Sequence, residues 1–155
     1  MIQSVNEIEQ VLTSNTSPIT FADTDLRTAS ANCFNGWLNH NEGSATFNIL
    51  GGGIYQIDFN TNITSATAGV VGLAIFADGV KLAGSEMNSV VATANQYDNV
   101  STTKKIRVCG RGSVSITIAS VPTISSGTPV VVTDTQIPII KNANISISRL
   151  AWTLA

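Results

Sequence analysis

Residues 54–64 read IYQIDFNTNIT, and their alternation decides the fold. Tyr55, Ile57 and Phe59 fall on one side of an extended chain, and Gln56, Asp58 and Asn60 on the other. Side chains of a strand point alternately to its two faces, so this pattern predicts a strand covered on one face only. Just upstream, ATFNIL (45–50) alternates through Phe47 and Ile49, and Gly51-Gly52-Gly53 breaks the chain between the two segments. Downstream, VVGLAIFA (70–77) is continuously apolar, as expected of a strand covered on both faces. Asp78-Gly79 is a hairpin turn signal leading into residues 80–94.

The same texture extends in both directions. PITFA (18–22) reads as a short strand, and CFNGWL (33–38) places Phe34, Trp37 and Leu38 around an Asn-Gly turn signal. KKIRVCG (104–110) follows, then SVSITIASV (113–121), in which Val114, Ile116 and Ile118 alternate with Ser113, Ser115 and Thr117. PVVVTDTQIPII (129–140) comes next, then NISISRLAWTLA (144–155), where Ile145, Ile147 and Arg149 oppose Ser146, Ser148 and Leu150. Nine to ten short strands without an alternating helix–strand pattern predict an all-β, antiparallel sandwich or jelly roll. Only IQSVNEIEQVLTS (2–14) reads as a helix, with Val5, Ile8 and Leu12 at spacings of three and four. Residues 1–17 are therefore expected to form an N-terminal helix and linker, serving anchoring or trimerisation, and residues 18–155 the jelly-roll domain.

At 155 residues, one domain is the simplest organisation. Charged residues make up 12%, about half the usual share, and net charge is −2. Residues 43–57, 59–77 and 112–133 contain no Asp, Glu, Lys or Arg. So little charge predicts a surface covered by other chains. The scattered basic residues, with Lys104-Lys105-Ile106-Arg107 as the one cluster, argue against a nucleic-acid partner. The run 70–77 is far shorter than the ~20 residues that cross a membrane, so no membrane partner is expected. The N-terminus has no basic stretch followed by an apolar one, and synthesis in a cytosol is expected.

Chemistry is sparse. His40 is the single histidine, flanked by Asn39 and Asn41, and reads as an exposed loop residue rather than a catalytic base. Asp23 and Asp25 offer too few oxygens for calcium. Gly110-Arg111-Gly112 precedes no helix that could hold a phosphate. Cys33 and Cys109 lack metal-site spacing and read as two free, partly buried thiols, with a bridge as the alternative. No catalytic, cofactor or metal residue is assigned. Trp37, Tyr97 and Trp152 are candidates for stacking on a sugar if exposed, and otherwise for core or interface.

Gly53-Ile54-Tyr55-Gln56-Ile57-Asp58-Phe59 resembles the Gly-x-Tyr-x-apolar-x-Phe strand of the complement globular-head and tumour necrosis factor superfamily. Residues 73–81 resemble the hairpin that follows in that family. Residues 143–150 look like the last strand of its bacterial and phage members, in which the domain caps fibres, spore hairs or virion appendages. The resemblance covers residues 44–154 and lacks the collagen stalk of many members. It implies a homotrimer in which one sheet of each subunit packs on its neighbours, with Tyr55, Phe59, Ile116, Ile118, Ile145 and Ile147 at the trimer interface or in the core. It further implies a non-enzymatic bacteriophage virion structural protein, a trimeric capsid-decoration or head-fibre protein. Such a protein would be made in the host cytoplasm and displayed on the virion surface. Val5, Ile8 and Leu12 would hold it to the major capsid or another virion protein. The alternative is a carbohydrate- or receptor-binding adhesin of a tail tip or spore surface, touching a host glycan through Trp37 or Tyr97.

Overall fold

The computed structural model describes residues 1–13, 16–27, 37–109, 112–121 and 136–151, and all structural statements concern these. Twelve strands are present among them and no helix. They are β1 (Ile2–Asn6), β2 (Gln10–Val11), β3 (Asp23–Arg27), β4 (Leu38–His40), β5 (Phe47–Ile49), β6 (Gly53–Thr64), β7 (Gly69–Ala77), β8 (Val80–Lys81), β9 (Met87–Val91), β10 (Asp98–Val108), β11 (Val114–Ser120) and β12 (Ile139–Ala151).

Two antiparallel sheets form the body. One runs β10-β6-β12-β1-β3, with β2 also paired to β12. The other runs β4-β5-β11-β7-β8, with β9 also paired to β7. Neighbours in space are seldom neighbours in sequence, so the chain crosses repeatedly between sheets, as a jelly roll requires. The alternation over 54–64 is present as expected: Tyr55, Ile57, Phe59 and Ile63 are buried, while Ile54 and Asn60 face out. Residues 71–75 are all buried, which agrees with their unbroken apolar run. Phe21, Phe47, Tyr55, Phe59 and isoleucines from both sheets fill the space between the sheets. Each such side chain contributes roughly 1.5–3 kcal/mol when withdrawn from water.

The helix expected over residues 2–14 does not form. Ile2–Asn6 is a strand in the middle of a sheet, paired with β12 on one side and β3 on the other. A helix this short is marginal by itself, whereas the gap between β12 and β3 satisfies the backbone of β1 on both edges. Ile2, Ser4 and Asn6 point inward, and Gln3 and Val5 outward. The spacing of Val5, Ile8 and Leu12 is therefore not one helical face. Val5 is half-buried on the outside of the sheet, Ile8 is 70% exposed in a loop, and Leu12 is 3% exposed in the chain's own core.

His40 also departs from expectation. It lies in β4 and is buried, stacked on Phe47 with ring centres 3.9 Å apart and planes 12° apart. Its Nδ1 lies 3.1 Å from the Thr46 carbonyl oxygen. Residues 104–108 of the segment 104–110 prove to be the end of a longer strand that begins at Asp98. Cys33, Phe34, Trp152 and most of 129–140 lie outside the described residues, and Cys109 is an exposed free thiol.

Candidate functional site

The outer face of the sheet β10-β6-β12-β1 is built by register. Thr103, Asp58, Ser146 and Gln3 stand side by side across the four strands. Ser101, Asn60, Asn144 and Val5 form the next row, and Lys105, Gln56 and Ser148 the row on the other side. Side chains directly opposite one another point to the same face. Most of these residues are Ser, Thr, Asn or Gln, and the charges on the face are Asp58, Lys105 and, towards its two ends, Arg107 opposite Ile54 and Lys141 opposite Asn62. Four strands at ~4.8 Å spacing make it about 14 Å wide. Asp58 is its one carboxylate, and neutral neighbours hold it: Gln56 Nε2 donates at 3.0 Å and Thr103 Oγ1 at 2.7 Å. Gln3, Gln56, Asp58, Asn144, Ser146 and Ser148 are half-buried even within one chain.

This face lies between two dissimilar ends. Ile2 pairs with Ile147, which pairs with Ile57, and Ala151 pairs with Ile54, so residues 1 and 151 lie at the same end. There the Arg149 guanidinium stands over two aromatic rings, 5.4 Å from the centre of Trp37 and 5.6 Å from that of Tyr55. Its Nη2 donates to the Gly52 carbonyl. The Tyr55 hydroxyl donates to the Gly51 carbonyl at 2.6 Å. Burial pushes the Tyr55 hydroxyl pKa above its ordinary value, and the Arg149 charge opposes that rise. A Cβ on Gly53 would meet Arg149 Nε at 2.7 Å and the Ala151 carbonyl oxygen at 2.8 Å, which explains a glycine there. Leu50, Ile54 and Leu150 are exposed around this cluster.

The opposite end lies nine residues along β6, from Ile54 to Ile63, about 30 Å away at ~3.3 Å per residue. It gathers residues 7–13, 64–69, 90–98 and 136–140. Leu12 N–H donates to the Pro138 carbonyl at 3.0 Å, and Asn95 N–H to that of Ser65 at 3.0 Å. The Tyr97 hydroxyl donates to Glu9 Oε2 at 2.6 Å. Its pKa is pushed up to about 12, first by burial and then by the hydrogen bond and charge of Glu9. Ile8, Val11, Val90, Tyr97 and Ile137 are exposed apolar or aromatic residues of these segments.

Tyr55, Phe59, Ile116, Ile118, Ile145 and Ile147 all lie in the core of the single chain. The outward places beside them belong to Gln56, Asp58, Asn144, Ser146 and Ser148, which the sequence marks only as the polar half of each alternation. Trp37 and Tyr97 lie at opposite ends of the molecule. Trp37 is half-buried against Tyr55, ring centres 5.4 Å apart, and Tyr97 has its hydroxyl committed to Glu9. A hollow of about 370 Å³ is lined by Thr24, His40, Asn41 and Glu42. Among the described residues no group of three or more His, Cys, Asp or Glu could hold a metal ion.

No protein-family model and no curated protein matches the chain. Its structure is similar to the globular domain of zebrafish complement 1qA, with TM-score 0.63, 12% identity and 98% of each chain covered. It is equally similar to Eiger TNF from S. frugiperda, with TM-score 0.63 and 5% identity over 99% of this chain and 94% of that one. Murine APRIL matches at TM-score 0.50 and 12% identity over 90% of this chain and 96% of that one. The fold is thus the jelly roll of complement globular heads and tumour necrosis factors. At these identities the likeness is one of fold.

Proposed function

We propose that this chain is a non-enzymatic structural subunit of a homotrimer displayed on a bacteriophage surface, as a capsid-decoration or head-fibre protein. The carrying observation is the outer face of β10-β6-β12-β1. Most of its side chains are short and polar, those at its middle (Gln3, Gln56, Asn144, Ser146, Ser148) are half-buried, and its single carboxylate is held by neutral donors. Covering the middle of this face, around Asp58, Ser146 and Asn144, desolvates one charge, and that carboxylate keeps its bonds to Gln56 and Thr103. Where such a face packs on copies of itself, closed symmetry is the usual outcome. The end bearing residues 1 and 151 faces the particle in this reading, with Leu50, Ile54 and Leu150 as its apolar contacts. The closing strand 143–150, which resembles that of phage members of the fold family, supports the virion setting.

The test is light scattering on the intact chain. A trimer has three times 16.2 kDa, about 49 kDa. Ser146→Arg, at the centre of the face beside Asp58, is expected to give a folded monomer. A monomeric parent chain, or a variant that stays trimeric, overturns the assembly. Particles decorated normally by a Leu50→Asp, Leu150→Asp double variant overturn the attachment. The alternative adhesin reading draws on the far end, where Tyr97 and its apolar neighbours face solvent. A broad glycan array tests it.

A further inference from the structure

At the end remote from residues 1 and 151, the tip of β9 and the start of β10 enclose a cleft of about 150 Å³, lined by Val90, Val91, Ala92, Gln96, Tyr97 and Asp98. Its composition is uneven. Val90, 74% exposed, and Ala92 supply aliphatic wall, Tyr97 an aromatic ring, and Asp98 a carboxylate. Asp98 accepts the Ser89 hydroxyl at 2.7 Å and the Asn99 N–H at 2.9 Å. Both donors are neutral, so they fix the carboxylate without cancelling its charge, and its oxygens keep further acceptor sites. Glu9 stands behind Tyr97, bonded to its hydroxyl. The four segments of this end, 7–13, 64–69, 90–98 and 136–140, contain Glu7, Glu9 and Asp98 and no Lys or Arg.

We propose that this cleft receives a lysine or arginine side chain presented by a partner protein. A long cationic side chain lays its methylene stem along apolar surface and keeps its charged head among oxygens. Val90, Ala92 and the Tyr97 ring suit the stem, and Asp98 suits the head. The aromatic ring adds attraction for a cation near its face. Glu7, Glu9 and Asp98 outnumber Lys141, which directly follows the last of these segments, and the net negative field steers such a partner toward the cleft. An acidic or neutral ligand would leave Asp98 desolvated without compensation. The exposed Ile8, Val11 and Ile137 of the same end provide apolar area for the rest of the partner. From the proposed function this inference takes only the direction in which the chain is displayed. The cleft lies within one chain, so its ligand is measured independently of the oligomeric state.

The experiment titrates the isotope-labelled intact chain with Nα-acetyl-lysine methylamide, its arginine counterpart and its norleucine counterpart, following amide resonances. The lysine and arginine probes are expected to shift residues 90–98 saturably, with affinity falling as salt is raised. The norleucine probe, with the stem and no charge, is expected to bind at least about tenfold more weakly. Val90→Arg alters a solvent-exposed position and places a cation at the mouth of the cleft, and it is expected to abolish the shifts. Asp98→Asn is expected to weaken binding by about tenfold. If that variant unfolds, Val90→Arg decides alone. Norleucine bound as tightly as lysine, unchanged binding in Val90→Arg, or shifts scattered over the whole chain overturns the proposal. A monomeric chain that still binds the cationic probes would remove the trimer and leave the cleft standing.

Discussion

Arg149 and Trp37 close one end of the core together, with the guanidinium carbon 5.4 Å from the centre of the indole ring. The contact joins the last strand to the residue before β4, and Gly52 takes one guanidinium N–H. Arg149→Ala removes the stem, the cation–ring contact and a charge-assisted hydrogen bond at once. It is expected to lower unfolding free energy by about 1–3 kcal/mol in urea melts. Gly53→Ala is expected to cost a similar ~1–3 kcal/mol, because the new methyl must push Arg149 or the backbone of Ala151 aside. Arg149→Ala together with Gly53→Ala should cost less than the sum of the two, since the first change vacates space the second needs.

His40 is a core residue, and its substitution is expected to act on stability. It is stacked on Phe47 and meets Phe21 edge-on with ring centres 6.3 Å apart. His40→Ala leaves a cavity between these rings and removes the contact to the Thr46 carbonyl oxygen. The expected loss is about 2–4 kcal/mol. His40→Phe keeps the stack and should recover most of it. Denaturant midpoints of the two variants decide the point.

The alkaline titration of the tyrosines carries a definite sign. The chain has two tyrosines, and both hydroxyls are held above their ordinary value of 10.0. For Tyr97, the folded pKa of about 12 exceeds that of the unfolded chain. Its contribution to stability is therefore complete below about pH 10 and is lost as pH rises through about 12. Tyrosinate absorbance of the native protein should stay low at pH 10 and appear only well above it. Glu9→Gln removes the hydrogen-bonded charge and should lower the Tyr97 midpoint, while burial keeps it above the ordinary value. A midpoint unmoved by Glu9→Gln would mean that the Glu9–Tyr97 contact does not persist in solution.

These features differ in how far the chain announces them. The period of two in residues 54–64 was legible because one face of β6 meets the core and the other meets polar neighbours. The apolar run 70–77 was legible for the opposite reason, its middle, residues 71–75, being buried on both faces. His40 was hidden by its polar neighbours: β4 turns Leu38 and His40 inward and Asn39 outward, and three residues are too few to show an alternation. The outer sheet face was visible as serines and asparagines, and their inward partners, expected at the trimer interface or in the core, lie in the core. A sequence shows which half of an alternation is apolar, not which polar half another chain covers. The cleft at Val90, Tyr97 and Asp98 has no motif. It exists because the residues between β9 and β10 bring two strand ends together, a loop-closure event that local pattern does not record.

The N-terminal segment separates two readings most sharply. Spacings of three and four join Val5, Ile8 and Leu12 into one helical face, so a docking helix would make Ile8 and Leu12 equivalent. In the structure a loop between β1 and β2 resets the phase, leaving Ile8 in solvent and Leu12 in the core. Ile8→Ser is then expected to change stability by less than about 0.5 kcal/mol, as exposed positions do. Leu12→Ala is expected to cost about 2–4 kcal/mol, and Ile2→Ala, on the inward side of β1, about the same. Removing residues 2–6 opens the facing edges of β12 and β3, so that chain should aggregate rather than persist as a trimmed domain. Urea melts of the point variants and the solubility of the deletion provide the measurement. Equal losses at Ile8 and Leu12, with a soluble and folded deletion, would restore the helix.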